Sequence, residues 1–146
     1  MVDDTFTLNR PHATELCREL IRRRLPITWS VFSRVDTMTP ELLNLMHEAG
    51  CTCMLFGVES GNEEVVQNIK KGITPEKVRN GVKMATEAGI GSFASFILGL
   101  PGETPETARE TLAFAIDLAE RWGTQFGFHY LAPFPGTELF DQAGEL

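Results

Sequence analysis

Residues 39–61 read TPELLNLMHEAGCTCMLFGVESG, and the order of signals in this stretch decides the fold. Thr39 can cap a helix by accepting a bond from an orphan N–H. Pro40 at the first helical position loses nothing by lacking a donor, and Glu41 faces the positive end of the dipole. Gly50, after Glu48-Ala49, can take the left-handed conformation that closes a helix. The apolar run that follows, 52–58, is too short for a helix and is rich in strand-forming residues. It stops on a carboxylate, Glu59, which is followed at once by Ser60-Gly61 and preceded by Gly57.

The same punctuation recurs. Thr-Pro-Glu returns at 74–76 and at 104–106, and the stops return at Glu87-Ala88-Gly89 and Arg121-Trp122-Gly123. Short apolar runs follow both stops, at 90–98 and 124–131. An earlier helix, capped by Asn9 and carrying Arg22, Arg23 and Arg24 in its last turn, leads into the run from Ile27 to Ser33. The spacing predicts helix 10–24, strand 27–33, helix 40–49, strand 52–58, helices 62–70 and 75–88, strand 92–98, helix 105–122, strand 125–131 and a helix starting at 137. Strands joined by helical crossovers run parallel with right-handed connections. Near-continuous apolar strands point to an α/β sheet covered on both faces or closed into a barrel. Regular βα units without a Gly-rich dinucleotide turn favour the barrel-like sheet, with a doubly wound sheet as the alternative.

The 146 residues fit one domain, 1–146, and a net charge of −7 argues against wholesale binding of nucleic acid or anionic membrane. No apolar run approaches the length of a spanning helix, and the N-terminus lacks the order of a signal peptide, so a cytoplasmic protein is expected. The three cysteines, Cys17, Cys51 and Cys53, match neither a disulfide framework nor a zinc site and read as small buried hydrophobes. The three arginines at 22–24 read as dipole partners on a solvated face. Parallel βα sheets carry their chemistry at the carboxyl ends of the strands. Ser33-Arg34-Val35-Asp36, Glu59-Ser60-Gly61, Gly99 to Glu103 and His129-Tyr130 leading to Pro133 fall at those ends. By position, Glu59 is either a ligand-binding carboxylate or a structural, helix-capping one, with Gly57 and Gly61 letting the backbone approach a ligand. Glu103 is divided between a dipole role and a ligand role. Of His12, His47 and His129, which share no metal-ligand spacing, only His129 sits where a substrate or cofactor role is open.

DDTFTLNR, WSVFSRVD, AGCTCMLFGVESGNEEVVQNIKKGIT, SFILGLPGET and LAPFPGTEL, in that order, resemble successive blocks of the radical S-adenosylmethionine superfamily. The branch is the one often preceded by a cobalamin-binding domain, with Elp3-like enzymes and methylthiotransferases more distant. The resemblance implies part of a TIM-like (β/α)6 partial barrel that binds S-adenosylmethionine and a [4Fe-4S] cluster. In that family the cluster reduces the sulfonium to release a 5′-deoxyadenosyl radical. It further implies that Glu59 contacts the ribose or methionine part of the cofactor, and that Ser33 and Arg34 lie where a side chain reaches the cofactor carboxylate. An Arg34–Asp36 or Arg34–Glu59 rim pair is the other reading of Arg34. Ile97 would pack on adenine and Gly99 matches the second glycine of G-x-I-x-G-x-x-E. Ser95 stands for the first glycine, and Gly102 takes the acidic position with Glu103 one later. Leu131, Ala132 and Pro133 would border adenine through backbone groups, and Asp3 and Asp4 match the end of the family's second strand. The family's C-x-x-x-C-x-x-C loop has no counterpart here. The chain is therefore expected to be the later βα units of an oxidoreductase- or methyltransferase-type enzyme, inactive by itself. Its partners would be the N-terminal part of its own enzyme, a substrate that stays unidentified, and a second copy joined through an open sheet edge. A non-catalytic βα interaction or regulatory module is the alternative.

Overall fold

In the computed structural model the described residues are 5–143. The expectations for Asp3 and Asp4 lie outside them. Helices and strands alternate as α1 (Arg10–Arg23), β1 (Trp29–Ser33), α2 (Pro40–Glu48), β2 (Cys51–Glu59), α3 (Glu63–Asn68), α4 (Pro75–Glu87), β3 (Gly91–Leu98), α5 (Pro105–Trp122), β4 (Gln125–Tyr130) and α6 (Glu138–Ala143). Each Thr-Pro-Glu opens a helix. Thr39, Thr74 and Thr104 accept from the N–H groups of Leu42, Lys77 and Thr107, and Asn9 accepts from His12. Gly50, Gly89 and Gly123 all have positive φ after their helices. At Gly50 a Cβ would also lie 2.3 Å from the Ile27 carbonyl oxygen, so that position excludes every other residue on two counts.

All four strands are parallel, in the order β1-β2-β3-β4. That order decides between the two sheet types. Right-handed crossovers that always advance in one direction put every helix on the same face, whereas a doubly wound sheet reverses direction at its switch point. Helix contacts run α1 to α2, α2 to α4 and α4 to α5, one curved layer. The doubly wound alternative is thereby ruled out. The helices cover only one face, as the barrel-like reading expects. Val31, Met54, Phe56, Val58, Ala94 and Phe96 point into the helices and are buried. The opposite face, with Phe32, Leu55, Phe93, Ser95, Ile97 and His129, is half-buried or exposed.

Two boundaries moved by two residues and the others by no more than one. The first strand begins at Trp29 rather than Ile27, since Pro26 has no donor and the ladder starts with Trp29 N–H on the Gly50 carbonyl at 3.0 Å. The third helix spans only Glu63–Asn68 and is closed by Lys70 at φ 55. Among the described residues no helix is long and apolar enough to cross a membrane.

Candidate cofactor-binding rim

β2 ends in a bulge. Gly57 pairs with Ser95 but Glu59 pairs with Phe96, so Val58 is the extra residue. Val58 is buried on the helix side, while Glu59 emerges on the open face with φ 70, a left-handed conformation rare for a glutamate. Strain of this kind costs about 1–3 kcal/mol and gathers at functional sites. The Glu59 carboxylate accepts from Lys71 Nζ at 2.6 Å, with the side chains 15% and 25% exposed respectively. Lys71 belongs to the linker between α3 and α4, which crosses the carboxyl-terminal rim.

The glycines around Glu59 have a different explanation from the one expected. A Cβ on Gly57 would lie 2.7 Å from Glu59 Oε1 and 3.2 Å from Lys71 Nζ, so Gly57 leaves room for the ion pair. One on Gly61 would lie 2.5 Å from Phe114 Cβ, so Gly61 lets the turn close on α5. The turn is wired there. Ser60 Oγ meets Thr111 Oγ1 at 2.9 Å, the Gly61 N–H donates to the same hydroxyl at 3.1 Å, and Asn62 both caps α3 and donates to Glu110 at 2.6 Å.

Ser33 is a correction. It is buried on the helix side, where its hydroxyl bonds that of Thr7, and it does not face the rim. Strand alternation settles this, since Trp29, Val31 and Ser33 share the covered face. Arg34 takes the rim-pair reading, with Nε and Nη2 donating to both oxygens of Asp36 at 3.0 and 2.9 Å. That bidentate contact holds the Asp36 carboxyl below its ordinary range and raises the guanidinium. Ile97 is half-buried on the open face beside His129, its partner on β4, and His129 is exposed. Gly99, at φ 87, ends β3, and its N–H donates to Glu103 at 2.5 Å, so Glu103 closes its own loop. Leu131 extends the β4 pairing through its N–H to the Leu98 carbonyl at 2.8 Å, and Leu131 and Pro133 are half-buried at the same rim. Glu59, Ile97, Gly99 and Leu131 thus come together on one edge, and Ser33 does not.

Sequence reasoning missed Lys71. A signal existed: a crossover helix cannot begin before its cap at Thr74, so everything between Glu59 and Thr74 must lie at the rim, and Lys70-Lys71 is the cationic part of it.

The cysteines do not fit an iron–sulfur cluster. Cys17 and Cys51 are fully buried, and Cys51 and Cys53 sit at the amino end of β2, opposite the rim. Burial pushes the Cys17 thiol up to about 11 and that of Cys51 up to about 12. No group of three or more His, Cys, Asp or Glu able to hold a metal occurs among the described residues. Alkylation at pH 8 is expected to label half-exposed Cys53 first, leaving Cys17 and Cys51 unmodified until the chain unfolds; mass spectrometry of timed samples reads this out.

Residues 1–115 match the profile of the Radical SAM superfamily. An uncharacterized methyltransferase of Pyrococcus horikoshii is 37% identical over 97% of this chain and 30% of its own length. An anaerobic magnesium-protoporphyrin IX monomethyl ester cyclase of Rubrivivax gelatinosus is 31% identical over 99% of this chain and 26% of its own. Among solved structures, the radical S-adenosylmethionine methyltransferase TsrM from Kitasatospora setae, with cobalamin and a [4Fe-4S] cluster bound, superposes with a TM-score of 0.83 at 28% identity. It covers 99% of this chain and 29% of that one. The chain therefore spans less than a third of the length of these relatives.

Proposed function

This chain belongs to the Radical SAM superfamily, its parallel sheet being part of that fold's TIM-like barrel, and from that premise we propose that its rim is one wall of an S-adenosylmethionine site. The Glu59–Lys71 pair carries the reading. A half-buried carboxylate and ammonium 2.6 Å apart, held by a strained backbone at a strand's carboxyl end, match the α-ammonium and α-carboxylate of an amino-acid end. A zwitterion inserted between them trades one ion pair for two. Ile97 offers an apolar face to the adenine, and the backbone at Leu131–Pro133 borders it. Arg34 stands at the end of β1, paired with Asp36.

The cluster ligands, in this reading, belong to the part of the parent enzyme that the relatives' extra length represents. The methyltransferase likeness supports, for the parent, methyl transfer with cobalamin on a separate domain. S-adenosylmethionine titrated into the chain by calorimetry tests the rim directly. Charge-assisted bonds are worth about 1.5–3 kcal/mol, so Glu59→Gln and Lys71→Met are each expected to weaken binding about ten- to a hundredfold. Equal binding by wild type and both variants, or no binding by the wild type, would sink the assignment.

A further inference from the structure

The open face carries two hydrogen-bonding side chains that the Glu59–Lys71 pair leaves unused. Ser95 on β3 lies between Gly57 on β2 and Gly127 on β4 in register. The space over Gly57 is taken by the Glu59 carboxylate and the Lys71 ammonium. A Cβ on Gly127 would lie 3.0 Å from the Phe93 ring, which covers that position. Ser95 therefore stands in a slot with a charged wall on one side and an aromatic wall on the other. Two residues further along, Ile97 pairs with His129. Phe128 stacks on Phe96 on the helix side at 5.2 Å, so alternation turns His129 to the face that Ser95 shares. The backbone bond from Leu131 to Leu98 keeps β4 paired past this point, so the imidazole is presented from an ordered strand. Among the described residues neither the Ser95 hydroxyl nor the His129 ring has a hydrogen-bond partner.

Resting on the cofactor reading above, we propose that Ser95 and His129 form a second sub-site, which holds the enzyme's substrate by a carboxylate or carbonyl oxygen. Glu59 and His129 stand two strand spacings apart, about 10 Å, so an oxygen held by His129 lies away from the Glu59–Lys71 pair. Ser95 and His129, on neighbouring strands and two residues out of step, are about 8 Å apart at their Cα atoms, close enough to converge on one atom. An acceptor oxygen fits best because a serine hydroxyl and an imidazole N–H can both donate at any pH, whereas the imidazole accepts only when neutral. Phe93, which lies across Gly127 beside Ser95, supplies apolar contact for the body of such a substrate.

Benzoate is the probe, with benzylamine as the cationic control, followed by NMR of the His129 ring and the Ser95 amide in the 146-residue chain. Benzoate is expected to shift both signals with saturation, benzylamine neither, and Ser95→Ala and His129→Phe should each weaken benzoate at least fivefold. No shift at His129, equal binding of benzylamine, or undiminished benzoate binding in both Ser95→Ala and His129→Phe would overturn the sub-site. Benzoate binding in a chain that fails to bind S-adenosylmethionine would instead sink the cofactor reading and leave this oxygen site standing.

Discussion

Phe96→Ala is expected to lower unfolding stability by about 4 kcal/mol, the range found when a fully buried phenyl is removed from a packed core. Phe96 has no solvent exposure, sits on an interior strand, stacks on Phe128 at 5.2 Å and meets Phe114 edge-on at 6.3 Å. It is thus the contact between β3, β4 and α5. Phe114 is held in turn from outside, where the Arg79 guanidinium lies 4.6 Å over its ring and bonds Asp117 at 3.1 Å. That exposed ion pair adds little by itself. A cavity at Phe96 cannot collapse without moving α5 off the sheet, so most of the cost should persist after relaxation. Urea unfolding should show the midpoint falling with an unchanged slope, and Phe96→Leu should lose less than half as much. A loss below about 1.5 kcal/mol for the alanine variant would mean that the β4–α5 layer is not packed as described.

Much of this architecture was legible because its signals are local. A Thr cap, a Pro in the first turn and a closing Gly each act within four residues, so three copies of that punctuation fix three helices whatever surrounds them. Strand direction then followed from the crossovers. What could not be read was which face each rim residue would take. Ser33 and Arg34 are adjacent, and one step along a strand separates a buried hydroxyl beside Thr7 from a guanidinium at the rim. At Glu59 the bulge hides the register altogether, since counting by twos does not survive an extra residue. Lys71 escaped for another reason. Its partner is twelve positions away through a short helix and a left-handed turn at Lys70, a path with no periodicity to count. The glycines were recognised as close approaches, but what approaches them is the chain itself.

Gly57 and Gly61 provide the sharper test, because they flank the same carboxylate for opposite reasons. Gly61 has no left-handed backbone to protect, so substituting it is a question of space alone. The methyl of Gly61→Ala would fall 2.5 Å from Phe114 Cβ, 2.9 Å from its Cγ and 3.0 Å from the Thr111 Cα. None of these is the end of a flexible side chain. Either the turn or α5 must retreat, and the retreat breaks the paired bonds of Ser60 and Gly61 to Thr111. Overpacking with buried hydrogen bonds lost is expected to cost about 3 kcal/mol. At Gly57 the new methyl meets only the tips of Glu59 and Lys71, which can swing away, so Gly57→Ala should cost less than about 1 kcal/mol. The ion pair, however, would no longer close across that spot, and S-adenosylmethionine binding should fall about tenfold with little loss of stability. Thermal unfolding and calorimetric titration of both variants separate the two effects. Should Gly57→Ala bind as the wild type does, the carboxylate and ammonium would not be poised for the ligand at all. Should Gly61→Ala unfold at the wild-type midpoint, the docking of the β2–α3 turn on α5 would have to be abandoned.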